Sequence, residues 1–184
     1  MVSSEHAWTA GGLVITRAAI RAIEEDALAG YARDEEACGY LTGPADPPLL
    51  CDAHVRMENT ARRLHEIDPE RYFRTARQFF SFNEKRFQDA VTAGAAAGRP
   101  VKLLYHSHLD AGAYFSPTDA AVMSSGEPPE REGGPIAMGP GPAWPLAFLV
   151  TSVRGEGGPP RVDEHKLFVW DGAAFVASTF SLLD

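Results

Sequence analysis

Two histidines, two serines and two aspartates fall within the stretch YHSHLDAGAYFSPTD at 105–119. If an extended strand runs from 101 into this stretch, His106 and His108 project from one face, because side chains two apart on a strand share a side. In a helix they would diverge by about 200°. Asp119, from the next element, can add an oxygen donor. Two imidazoles and one carboxylate leave a fourth position for water, which is the donor pattern of a catalytic zinc site. Zinc in such a site lowers the pKa of its water to about 7 and polarises a carbonyl oxygen. The same residues also have a plainer reading. Ser116-Pro117-Thr118-Asp119 makes a good helix start, with Ser at the N-cap, Pro at N1 and an acidic N3. The two roles are compatible, since a first helical turn is a rigid way to aim a carboxylate.

The joint spacing adds to this. H-x-H, seven residues, then S-x-x-D resembles the JAMM motif of the MPN-type (JAB-domain) zinc metalloproteases, with every motif position filled. Upstream, Glu36-Ala37-Cys38-Gly39-Tyr40-Leu41-Thr42-Gly43 is similar to the E-x-C-G-x-L-x-G segment that carries a glutamate on an early strand in that family. Asn59 and EIDPERYFRTAR at 66–77 are similar to features of the bacterial-type members. The likeness spans about residues 12–152 of the chain. It implies His106, His108 and Asp119 on Zn2+, Glu36 as general base and proton shuttle, and Ser116 as a donor to the developing oxyanion. A base of this kind is worth about 10²–10⁴ in rate, and an oxyanion donor about 10²–10³. Glu35 is the rival base, and the two glutamates face opposite ways if they lie on a strand. Without the downstream motif they would read as an exposed acidic pair; the resemblance selects Glu36.

The resemblance further implies hydrolysis of a peptide or isopeptide bond after the Gly-Gly tail of a ubiquitin-like or sulfur-carrier protein. Alternatives are a non-catalytic MPN scaffold, which usually has broken ligand positions, and a DNA-repair-associated relative, which would differ upstream. A nucleoside deaminase shares some fold character, but its H-x-E…P-C-x-x-C signature is absent.

These residues need elements to hold them. Residues 13–15 read as a strand, followed by a helix that Thr16 caps and that runs to about 29. Residues 36–42 and 49–55 read as strands of a hairpin across the turn-rich PADPP. From Pro69 the spacing of Tyr72, Phe73, Ala76, Phe79, Phe80, Phe87 and Val91 predicts one long amphipathic helix. Residues 101–105 form an apolar strand leading into the histidines, and SPTDAAVMSS follows as a helix. The Gly- and Pro-rich stretch 126–145 reads as a long loop near the cleft. Residues 145–151, 161–170 and 173–179 finish as strands, with Asp171-Gly172 a hairpin turn. The expected architecture is a single α/β (mixed α+β) domain over 1–184, a mixed sheet flanked by helices, and the resemblance implies that it is of the MPN/JAB, cytidine-deaminase-like type.

Other candidates carry less. Asp110 can orient a ligand imidazole or stand as an exposed loop residue. Tyr114 and Phe115 line the cleft or simply pack. Cys38 reads as a buried thiol beneath the site. His6, His54, His65 and His165 have no partner pattern. The net charge of -8 is spread along the chain, so nucleic acid is a poor partner. Two cysteines without CxxC spacing suit a reduced compartment. No segment is long enough for a membrane span, and the N-terminus lacks a leader pattern, so a cytoplasmic protein without membrane partners is expected. A homodimer is compatible with this reading.

Overall fold

The computed structural model describes residues 6–184; the first part of the N-terminal stretch read above for a leader lies outside them. Leu13 and Ile15 of β1 (Leu13–Thr16) point into the core, and the Thr16 hydroxyl accepts from Ala19 N at 3.2 Å to start α1 (Arg17–Ala32). Ile20, Ile23 and Ala27 follow at helical spacing and bury one face of α1. Then come β2 (Cys38–Thr42), β3 (Leu50–Cys51), β4 (Ala53–Met57), α2 (Ala61–Ile67), α3 (Glu84–Ala96), β5 (Val101–Leu109) and α4 (Pro117–Met123). The chain ends with β6 (Ala147–Arg154), β7 (Arg161–Trp170), β8 (Phe175–Ser178) and β9 (Phe180–Leu183).

These strands form two sheets, a six-stranded one in the order β4-β2-β5-β6-β7-β8 and a three-stranded one in the order β3-β1-β9. In the larger sheet β5 and β6 are parallel and every other neighbouring pair is antiparallel. All nine residues of β5 are buried, because both faces of this central strand are covered. On the α1 face, Leu103 and Tyr105 pack with Ile20, Ile23, Leu149 and Leu167. On the other, Leu104 packs with Phe80, Phe87, Phe148 and Val150. His106 and His108 follow Leu104 on that second face, at the carboxyl end of a parallel pair, where open α/β sheets place their ligands.

Several expectations are corrected. The long helix from Pro69 does not form. Asp68 caps a single turn, accepting Arg71 N at 3.0 Å through its side chain and Tyr72 N at 2.8 Å through its carbonyl. Residues 68–83 then run without a helix or strand, and α3 starts only where the Asn83 side chain accepts from Arg86 N at 2.9 Å. The aromatic spacing that imitates one helical face serves two elements: Phe87 belongs to α3, whereas Phe80 and Phe82 stack on each other from the irregular segment. The strand expected at 49–55 breaks at Asp52 into β3 and β4, which join different sheets, so the single expected sheet is two; the hairpin pairing survives as β2–β4. A further strand, β9, follows β8 and pairs with β1. Among the described residues no helix is long and apolar enough to cross a membrane.

Candidate metal centre

Strand period and helix cap together build the ligand set. His106 and His108 leave β5 on one face, and their Nε2 atoms are 3.2 Å apart. The Asp119 carboxylate, on the first turn of α4, places Oδ2 at 3.3 Å from His106 Nε2 and 3.5 Å from His108 Nε2. The capping box fixes that carboxylate: Ser116 Oγ accepts from Asp119 N at 3.0 Å and donates to Asp119 Oδ2 at 2.6 Å, and Ser116 N also donates to Oδ2, at 3.1 Å. The cap thus sets the Asp119 carboxylate beside both histidines, so the two readings of Ser116-x-x-Asp119 are compatible.

The three donor atoms suit a metal ion. Zinc–ligand bonds of about 2.0–2.2 Å in tetrahedral geometry put neighbouring ligand atoms about 3.3–3.6 Å apart, and the separations here are 3.2, 3.3 and 3.5 Å. His108 Nδ1 donates to the Gly112 carbonyl at 2.8 Å, which leaves the Nε2 lone pair facing the group. Burial, the largest influence, opposes charge on both His106 and Asp119. For His106 it prevails and lowers the pKa. For Asp119 the neighbouring His106, His108 and Ser116 outweigh it and hold the carboxyl well below its usual range. A neutral imidazole beside an ionised carboxylate is the protonation state that metal binding needs.

Glu36 lies just before β2, buried in the same cleft as His108 and Asp119. Its backbone is held twice: Glu36 N donates to Ala76 O at 2.7 Å, and its carbonyl accepts from Asn59 Nδ2 at 2.9 Å. Its neighbour Ala37 is tied to the histidine strand, with Ala37 N donating to Ser107 Oγ at 2.8 Å and Ser107 N to Ala37 O at 2.9 Å. The carboxylate itself is left free, since Oε2 is buried without a protein hydrogen-bond partner. Burial first, and the Asp119 charge second, raise the Glu36 pKa well above its ordinary value. A carboxyl so placed holds a proton more readily than an exposed one, as a group that takes up and returns protons must. Glu35 turns away to Arg33 at 2.6 Å and Arg62 at 3.7 Å.

A match to the family model described as prokaryotic homologs of the JAB domain covers residues 16–157, most of the chain. The chain belongs to this prokaryotic JAB-domain family. Solved structures agree at the level of fold. A Desulfitobacterium hafniense protein aligns with a TM-score of 0.51 at 17% identity over 94% of this chain and 93% of the other. A Salinibacter ruber protein aligns with a TM-score of 0.51 at 21% identity over 94% and 92%. No curated protein sequence matches significantly.

Within this JAB domain the remaining candidates separate cleanly. Asp110 does not touch His108. It accepts from Gly155 N at 2.8 Å, Tyr31 Oη at 2.8 Å and Arg77 Nη2 at 2.9 Å, and so ties the end of β5 to α1, to the 68–83 segment and to the turn after β6. Cys38 pairs across the sheet with His106 but points its thiol at the Met57 carbonyl, 3.9 Å away, and lies outside the ligand cluster. His54 joins Tyr105 Oη at 2.8 Å and His165 joins Thr151 and Glu24, each a satisfied histidine away from the ligands. Tyr114 and Phe115 both reach the site, ring to ring, at 4.9 Å from His108 and 6.1 Å from His106 respectively. Sequence reasoning missed Phe80, stacked on His106 at 4.3 Å between centroids, and the anchoring roles of Ser107 and Gly112. It saw Asn59 only as a likeness. The cleft, about 550 Å³, is bounded in part by Pro129, Arg131 and Glu132 of the 126–145 loop, as expected of its position.

Proposed function

We propose that this protein is a zinc-dependent peptidase that hydrolyses the amide bond following the Gly-Gly tail of a ubiquitin-like or sulfur-carrier protein. The observation that supports this reading most is the buried His106–His108–Asp119 triangle with Glu36, unpartnered at Oε2, opening into the same cleft. His106, His108 and Asp119 would hold the ion, and zinc there supplies Lewis acidity towards the scissile carbonyl and towards water.

The chain's own groups account for the rest. Glu36, shielded by burial, takes a proton from the attacking water and returns it to the leaving amine. Water adds across the bond: the C–N bond breaks, the tail glycine ends as a carboxylate and the released segment as an amine. Ser116 lines the cleft and gives its single hydroxyl hydrogen to the Asp119 carboxylate; donation to a developing oxyanion would exchange that bond for a new one. His106 stacks on Phe80 and is met edge-on by Phe115, and these rings help to fix the imidazole and keep bulk water from it. Glycines in the substrate tail suit such a site because they allow close backbone approach.

The test is the intact mass of a sulfur-carrier or ubiquitin-like protein bearing a short extension after Gly-Gly, incubated with zinc-loaded protein and in parallel with Glu36→Gln. Loss of the extension only with the unmodified protein is expected. No cleavage of any such substrate by zinc-replete protein would overturn the proposal.

A further inference from the structure

Three arginines line the cleft that holds the metal ligands: Arg74, Arg77 and Arg131. Arg77 is already neutralised, with Asp34 at 2.5 Å and Asp110 at 2.9 Å. Arg74 is not. Its guanidinium lies 4.4 Å from the Phe73 ring centroid and 5.3 Å from that of Phe79, and its Nη2 donates to the Pro129 carbonyl at 2.5 Å. Among the described residues no carboxylate pairs with Arg74 or with Arg131, although acidic residues outnumber basic ones 25 to 17 in the chain.

An arginine held against aromatic rings keeps a planar fork of donors in a fixed orientation, which matches a carboxylate in two-point contact. Pro129 engages one end of that fork and leaves the other donors for a ligand. The cleft volume of about 550 Å³ falls among small-ligand sites. It has room for a short peptide.

We propose that Arg74, assisted by Arg131 from the 126–145 loop, receives the free C-terminal carboxylate of the segment released, so that the preferred substrate ends a few residues beyond the cleaved bond. This rests on the hydrolytic reading above and adds to it a recognition element, on this chain's own arginines, for the end of the released segment.

The test is equilibrium binding rather than turnover. Zinc-loaded Glu36→Gln protein is titrated with the synthetic peptide Gly-Gly-Ala-Leu as the free acid and as its C-terminal amide. The acid should bind about 10- to 100-fold tighter, the scale of a charge-assisted contact. Adding Arg74→Gln should abolish the preference while leaving amide affinity unchanged, Arg74→Lys should restore part of it, and Arg131→Gln, on the exposed loop, should weaken it severalfold. The inference is overturned if acid and amide bind alike or neither binds. It also fails if the preference survives Arg74→Gln, since the carboxylate would then be on the metal, or if Arg74→Gln weakens both peptides equally, since Arg74 would then only clamp the loop. Cleavage without an acid preference defeats this inference alone; an Arg74-dependent preference without cleavage defeats the hydrolytic reading and leaves the carboxylate site standing.

Discussion

Asn59→Ala should be among the most damaging single changes outside the His106–His108–Asp119 cluster. The Asn59 side chain makes four hydrogen bonds: Nδ2 donates to Glu36 O at 2.9 Å and Phe79 O at 3.0 Å, and Oδ1 accepts from Ala61 N at 3.0 Å and Ser81 N at 3.1 Å. It thereby joins the segment carrying the base, the start of α2 and the irregular 68–83 stretch. Truncation strands two N–H and two C=O groups in a buried place, at about 1–3 kcal/mol for each group that finds no substitute. Allowing for relaxation, the loss should be about 3–5 kcal/mol, near the upper end for a point change. For a chain of this size that lowers the melting temperature by roughly 6–20 °C. Asn59→Asp separates hydrogen bonding from lost volume: it keeps the acceptors for Ala61 and Ser81 but sets a carboxylate against two carbonyls, and should also melt low. The assay is thermal unfolding of metal-free protein, followed by metal content and hydrolysis at a temperature where the variant is folded. Metal should be retained, because no ligand is touched, while hydrolysis falls. Either variant melting within about 2 °C of the parent would refute the reasoning.

Further outcomes are expected. Glu36→Gln should keep the metal and lose about 10²–10⁴ in hydrolysis; a smaller loss would remove Glu36 as the base. The same substitution has a stability signature in metal-free protein. Burial raises the Glu36 pKa on folding, so the stability this group contributes is complete below its unfolded pKa, about 4.3, and is lost as pH rises through the folded value. Glu36→Gln should therefore melt with the parent below about pH 4 and above it at pH 8, and identical melting across that range would contradict the burial argument. Asp119→Asn should lose bound zinc on dialysis, read by metal analysis, since a neutral amide replaces the anionic donor. Ser116→Ala removes an N-cap worth about 1 kcal/mol and should lower the melting temperature as well as hydrolysis; reduced hydrolysis at unchanged melting would show that the cap contributes nothing to the fold. Shortening the 126–145 loop should alter turnover while leaving metal content unchanged, because the loop walls the cleft and supplies no ligand.

The clustering of His106, His108 and Asp119 was legible in the sequence because the rules that place it are local. Period-two alternation sets His106 and His108 on one face, and the Ser116 cap sets Asp119, whatever surrounds them. The start of α1 at Thr16 and the Asp171-Gly172 turn were legible for the same reason. The base was chosen between Glu35 and Glu36 by resemblance, and what separates them physically is long-range: Ala76, Asn59 and Ser107 lie 40, 23 and 71 positions from Glu36 and hold its segment by backbone hydrogen bonds. The irregular course of 68–83 was hidden because its aromatic residues sit at helical spacing while answering to partners elsewhere, Phe80 to His106 and Arg74 to the loop carbonyl of Pro129. Periodicity reports which residues seek burial, but not which distant surface buries them. Spacing along the chain therefore determined which donor side chains cluster here, and only the packing of remote segments decided which carboxylate faces them and which arginines line the cleft without a carboxylate partner.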